Sequence, residues 1–210
     1  MIGVGWRDFV PLVRLSTAKC PISAIVAQLR DAAREFCAAT RCWAHVSEAC
    51  GLLAGEGVYG LRPPGQADVS AVLTVRACGA TLLPLTPDQW RTLEPATHRH
   101  PTHFTVTEPG LVHLYPTPNE DVPAALVVTA ALQPSVSSAQ GPQFLLTKYG
   151  QTIAKGAQAR LLFMPDRPWS DPQTGALLAR EFADGMAGAR INIDRGGADA
   201  PSRVKYRPFF

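Results

Sequence analysis

Residues 20–43 read CPISAIVAQLRDAAREFCAATRCW. Ile22, Ile25, Val26, Leu29, Ala33, Phe36 and Cys37 recur there at helical spacing, while Gln28, Arg30, Asp31, Arg34 and Glu35 fall mostly elsewhere. The segment therefore predicts an amphipathic helix of about five turns. Pro21 suits its first turn, where a missing N–H is no loss. A helix of this length with a single apolar stripe calls for other helices to pack against it.

Downstream of Trp43 the texture changes. From about residue 46 to 138 prolines and glycines are frequent, and the apolar residues come in short β-branched runs. VSAVLTVR (69–76), HFTVT (103–107), LVHLY (111–115) and ALVVT (125–129) predict strands between turn signals. Thr86-Pro-Asp-Gln89 carries a capping box, which opens a short helix through Trp90 and Leu93.

Helical texture returns at Pro142, where Phe144, Leu145, Tyr149, Ile153, Ala157, Leu161 and Leu162 trace one face, and Pro165 ends it. Ser170 or Asp171, with Pro172 behind it, caps a third helix whose stripe is Leu177, Leu178, Phe182, Met186, Ala189 and Ile193. Gly175, Ala176, Ala179, Gly185, Ala187 and Gly188 surround that stripe with small residues suited to close packing. After Gly196-Gly197 the run PSRVKYRPFF has no periodicity. The expected class is α+β: a helical bundle of three main helices with an inserted small antiparallel β domain and an extended C-terminal arm. The boundaries are 1–45 for the lead and first bundle helix, 46–140 for the β domain, 141–195 for the second and third helices and 196–210 for the arm. Ile25, Leu29, Phe36, Ile153, Leu161, Leu178, Phe182 and Met186 are the expected packing positions, within the bundle or between copies.

Twenty Lys and Arg against 17 Asp and Glu give a net charge of +3, too small an excess for a protein that coats nucleic acid. Arg190, Arg195, Arg203, Lys205 and Arg207, opposed only by Asp194 and Asp199, place that whole excess at the C-terminal end. Such an end reads either as a solvated terminus or as an arm that meets an acidic partner. Cys20, Cys37, Cys42, Cys50 and Cys78 form no C-x-x-C pair and read as reduced thiols. The opening MIGVGWRDFVPLV has neither a basic n-region nor a long apolar run, so no signal peptide is expected in it. No stretch approaches the roughly 18 apolar residues of a membrane span, so no membrane partner is expected.

Several blocks resemble the head-to-tail adaptor (head-tail connector) proteins of podovirus-like phages. They are Cys20-Pro21 followed by LRDAAREFCAATRCW (29–43), Val112-His-Leu-Tyr-Pro116, Ile153-Ala-Lys-Gly-Ala157 with Ala159-Arg-Leu-Leu162, Pro168-Trp-Ser-Asp-Pro172, and Phe182 through Arg190. HRHPTH, residues 98–103, departs from the pattern by its histidines. The resemblance implies a structural virion protein without enzymatic activity or cofactor, made in the host bacterial cytoplasm. About twelve copies would form a ring under the portal protein, each with two complementary faces. The ring's lumen would pass double-stranded DNA without sequence-specific binding, and its far side would receive a tail tube or nozzle protein.

In the arm, Arg203, Lys205, Tyr206, Arg207, Phe209 and Phe210 are the candidate portal contacts. Burying each terminal phenylalanine on a partner contributes roughly 1.5–3 kcal/mol, and a ring adds avidity. Other chemistry is thinly supported. His98, His100 and His103 lack a carboxylate or thiol to complete a metal site. Asp31 and Glu35 lie among Arg30 and Arg34 as a surface ion-pair network. Gly55-x-Gly57-x-x-Gly60 opens no helix and reads as a loop. The alternatives are a carbohydrate- or protein-binding β module carried on the helical scaffold, with Trp90, Phe104 and Tyr115 as contacts, and a glycan hydrolase using Glu48 and Glu56.

Overall fold

A computed structural model describes residues 3–14 and 17–196. Strand β1 (Gly3–Gly5) leads through a 3-10 turn at Trp6–Phe9 into the short helix α1 (Val10–Arg14), and α2 spans Ile22–Thr40. Then come β2 (Ala44–Val46), β3 (Cys50–Leu52), β4 (Val58–Gly60), the long β5 (Ala67–Ala77), β6 (Ala80–Thr81) and β7 (Leu83–Pro84). Helix α3 (Pro87–Arg91) is followed by β8 (Thr97–His98), β9 (His103–Glu108), β10 (Leu111–Tyr115), β11 (Thr117–Pro118), β12 (Val122–Pro134) and β13 (Gln140–Pro142). Helices α4 (Gln143–Leu162) and α5 (Pro172–Asp194) complete the described chain.

The expected three-helix bundle with a small antiparallel β insertion is not what forms. Among the described residues there are five α-helices, and the strands fall into several sheets. One sheet has the order β2-β12-β5-β6, with β3 also on β12, and another has the order β4-β10-β9-β7. The β part is not purely antiparallel either, since β7 pairs with β9 and β8 with β11 in parallel. Leu52, Val75, Leu126 and Val128 from the first sheet meet Phe104, Val112 and Leu114 from the second in one core, so the sheets close on one another as a sandwich.

The reason the β part is not looped out lies in β12. Its first half puts Leu126 and Val128 into the sandwich, while its second half puts Ala130 and Leu132 against Trp43, Ala67, Val69 and Phe144, beside the helices. Register shifts against β5 at Thr129/Ala130 and Ala131/Leu132 accompany the passage between the two cores. One thirteen-residue strand therefore belongs to both layers.

The helical layer is built around α4, which packs against α2, α5 and α1. Ile25, Leu29, Ala33, Phe36 and Cys37 of α2 are buried against Leu145, Tyr149, Ile153, Ala157 and Leu161 of α4, with the Phe36 and Tyr149 rings 4.8 Å apart. Enclosure on several sides explains why α4 buries small residues and Gln158 beyond its apolar face; the Gln158 amide donates to the Leu12 carbonyl at 3.0 Å. The amino-terminal segment is more than a lead. Trp6, Phe9, Val10 and Val13 enter the same core at helical spacing, and β1 pairs with β13. That spacing was legible in WRDFVPLV, although Pro11 obscures it.

The charges of α2 do not form a network along its own surface. Arg34 Nη1 donates to Asp68 Oδ2 at 2.9 Å and to the Pro134 carbonyl at 2.5 Å, tying the helix to β5 and β12. Glu35 pairs with Arg160 of α4, and Arg30 reaches the Ser138 carbonyl at 3.4 Å. Asp68 is nearly half exposed, so solvent weakens the first of these pairs.

Candidate functional site

Of the expected packing positions, Ile25, Leu29, Phe36, Ile153, Leu161 and Phe182 lie buried in the helical core. Met186 packs on its rim, and Leu178 is half-buried. Most of these side chains are thus spent on the chain's own core.

Helix α5 leaves more of its surface exposed than the other long helices. Asp171 caps it by accepting from the Thr174 N–H at 3.2 Å, and Pro172 stands in its first turn. Of its 23 residues only Gly175, Phe182 and Ala189 are fully buried. Leu177, expected in the inward stripe, is instead 58% exposed, and Ile191 is 50% exposed. The reason is the small residues: Gly175 and Gly185 face Ala159, Leu162 and Thr152 of α4, and their close approach fixes the helix with Leu177 outward. Ala176, Ala183, Ala187 and Gly188 share the exposed side with Leu177, Arg180, Asp184 and Ile191, and a Cβ at Gly188 would meet nothing within 4 Å among the described residues. A helix-interior glycine loses about 1 kcal/mol of helix propensity, and for Gly188 no packing among the described residues offsets it. The small residues of α5 thus split between a side that packs on α4 and a side that faces outward.

A groove of about 660 Å³ lies between the edge formed by β2 and β3 and the edge strand β4. Leu53, Val58, Leu126 and Val128 give it an apolar floor and wall, and Glu48, Glu56, His45 and Arg62 line it too. Tyr59 braces it: its hydroxyl accepts from the Leu53 N–H at 3.0 Å and donates to the Glu56 carbonyl at 3.1 Å. Burial pushes the Tyr59 phenol up. Glu48 and Glu56 are both exposed, without the apolar enclosure that a proton-donating carboxylate requires. Gly55 and Gly57 lie in the loop beside them, and Gly60 ends β4.

The aromatic residues of the β part divide. Phe104 is buried in the sandwich. Trp90, set by the capping box in which Thr86 and Gln89 each bond the other's backbone, stands edge-on to His113 and Tyr115 at 5.8 and 6.2 Å. The three expected contacts therefore do not form one surface. The histidines do not converge on a metal position: the His100 N–H donates to His98 Nδ1 at 3.2 Å, while His103 Nδ1 bonds the Thr102 hydroxyl at 2.8 Å. Among the described residues no group of three or more His, Cys, Asp or Glu side chains is arranged to hold a metal ion, and no helix is long and apolar enough to cross a membrane. The arm residues Arg203, Lys205, Tyr206, Arg207, Phe209 and Phe210 lie outside the described residues.

No curated protein matches the sequence. A family model does, described as SU10 adaptor protein, and its match runs from residue 8 to 205.

Proposed function

The chain belongs to the SU10 adaptor protein family, and from that premise we propose that it is a head-to-tail adaptor, with about twelve copies closing into a ring that docks on the portal protein of a phage. It is a structural protein of the particle rather than a catalyst. The family match over nearly the whole chain carries this assignment, and the outward face of α5 supports it. A ring joined head to tail needs two different complementary faces on each subunit. Leu177, Ile191, Ala176, Ala183 and Ala187 stand exposed along one side of the helix together with Arg180 and Asp184, so this side offers both apolar and charged contacts, with Gly188 leaving room for a close neighbour.

The arm from residue 197 onward anchors the ring to the portal through Arg203, Lys205, Tyr206, Arg207, Phe209 and Phe210, the cations setting orientation and the aromatics supplying buried area. The opposite side of the ring receives a tail tube or nozzle protein. Double-stranded DNA crosses the lumen without sequence-specific contacts, in keeping with a net charge of only +3. The protein is made in the host bacterial cytoplasm and resides in the neck of the virion.

Mixing the purified chain with its cognate portal and imaging the product by electron microscopy tests the assignment. A ring stacked coaxially on the portal is expected. Portal particles without added density, at concentrations well above those of assembly, would overturn it.

A further inference from the structure

Cys42 turns back over the last turn of α2 until its sulfur is 3.9 Å from that of Cys37. Arg41 causes the reversal. It caps the helix in the left-handed region at φ 57°, with its N–H donating to the Cys37 carbonyl at 2.8 Å. Five residues of separation thus become a sulfur contact, a spacing without any C-x-x-C signature. Cys37 is fully buried in the helical core, whereas Cys42 is half-buried. Among the described residues Cys20, Cys50 and Cys78 have no cysteine neighbour of this kind.

We propose that Cys37 and Cys42 form a thiol–disulfide exchange site, with Cys42 the attacking sulfur, Cys37 the resolving sulfur, and a small-molecule disulfide such as oxidised glutathione the oxidant. Accessibility assigns the order, because only Cys42 offers a path from solvent. Electrostatics agrees with it. The Cys37 hydrogen bond holds the Cys42 thiol below its ordinary range, and the Thr40 hydroxyl, the Cys42 N–H and the Lys148 charge add to that against burial. The same hydrogen bond, then burial, pushes Cys37 up.

The step balances. Cys42 thiolate attacks one sulfur of the oxidised glutathione, breaking its S–S bond and releasing one glutathione thiolate, which takes up a proton. Cys37 then loses its proton and attacks the Cys42 sulfur, expelling the second glutathione as a thiol. The protein loses two electrons and two protons, and one disulfide becomes two thiols. Closure moves the sulfurs from 3.9 Å to about 2.05 Å. The bond would staple the last turn of α2 to the chain entering Trp43 and β2, where the helical layer joins the sheet.

The full-length chain is titrated with oxidised glutathione, quenched by alkylation and mapped by peptide mass. The expected product is a Cys37–Cys42 crosslink, lighter by two hydrogens, with a thermal midpoint above that of the reduced chain. In Cys37→Ser the crosslink is replaced by a stable glutathione adduct on Cys42, and in Cys42→Ser the buried Cys37 stays unmodified in the folded state. Alkylated Cys42, or a lasting glutathione adduct on it in the unaltered chain, would overturn the exchange site. A glutathione adduct on Cys37 in folded Cys42→Ser would overturn the assigned order, and that readout stands even where Cys37→Ser fails to fold.

Discussion

The ring of Phe182 fills the space in front of Gly156, so that a Cβ added to Gly156 would lie 2.9 Å from Phe182 Cε2. The contact sets how closely α5 approaches α4. Gly156→Ala gains about 1 kcal/mol of helix propensity, but overpacking a buried ring loses about 1–3 kcal/mol. The clash wins, because Phe182 is enclosed by the core. A net loss of up to about 2 kcal/mol is expected from the urea midpoint. Combined with Phe182→Ala, the same substitution loses less than the sum of the two singles, since the clash is gone.

Arg34 is the clamp between layers. Its guanidinium serves Asp68 and the Pro134 carbonyl together, a fork that an ammonium does not reproduce. Arg34→Ala is expected to destabilise by about 1–2 kcal/mol, at the lower end for a charged hydrogen bond because Asp68 is partly solvated. A double-mutant cycle with Asp68→Ala, run at low and high salt, isolates the screened part of the coupling.

The cap of α5 carries a pH dependence. Hydrogen bonds from the Thr174 hydroxyl and N–H hold the Asp171 carboxyl below its ordinary range. A depressed folded-state value means stability that is fully present above the unfolded-state value and is lost as pH falls through the folded one. Thermal midpoints of the unaltered chain and of Asp171→Ala should therefore differ at neutral pH and converge in acid below the ordinary aspartate range.

The outward face of α5 separates assembly from folding. Leu177→Glu with Ile191→Glu alters two half-exposed side chains outside the buried core, so the unfolding midpoint should move by less than about 0.5 kcal/mol per site. Ring formation on the portal should be lost. Rings of normal size by electron microscopy would remove this face from the subunit contact.

Deleting residues 197–210 takes away the cationic aromatic arm without touching the described core. Folded protein that no longer binds the portal is expected in a pull-down. Unchanged binding would dismiss the arm as the anchor and leave the family membership as it stands.

Local elements were readable because their causes are local. Thr86 and Gln89 sit three residues apart, and their reciprocal bonds form whatever lies beyond them. The apolar spacing of Ile25, Leu29 and Phe36 marks one helix face by geometry alone, and the strand-forming runs at 69–76 and 125–129 fall inside β5 and β12. The arm's charge and aromatics are equally plain in the sequence.

Tertiary structure decided how those pieces met. Whether β12 serves the sandwich or the helices depends on which strand pairs beside it, and it serves both because β5 accompanies it across the register shifts. Leu177 and Phe182 look alike in a periodic stripe, yet one is exposed and the other buried, because Gly156 admits the ring and Gly175 and Gly185 turn the helix onto α4. Cys37 and Cys42 become neighbours only through the left-handed turn at Arg41. Periodicity reports which residues prefer to leave water; only close packing between distant segments selects the partners and the distances.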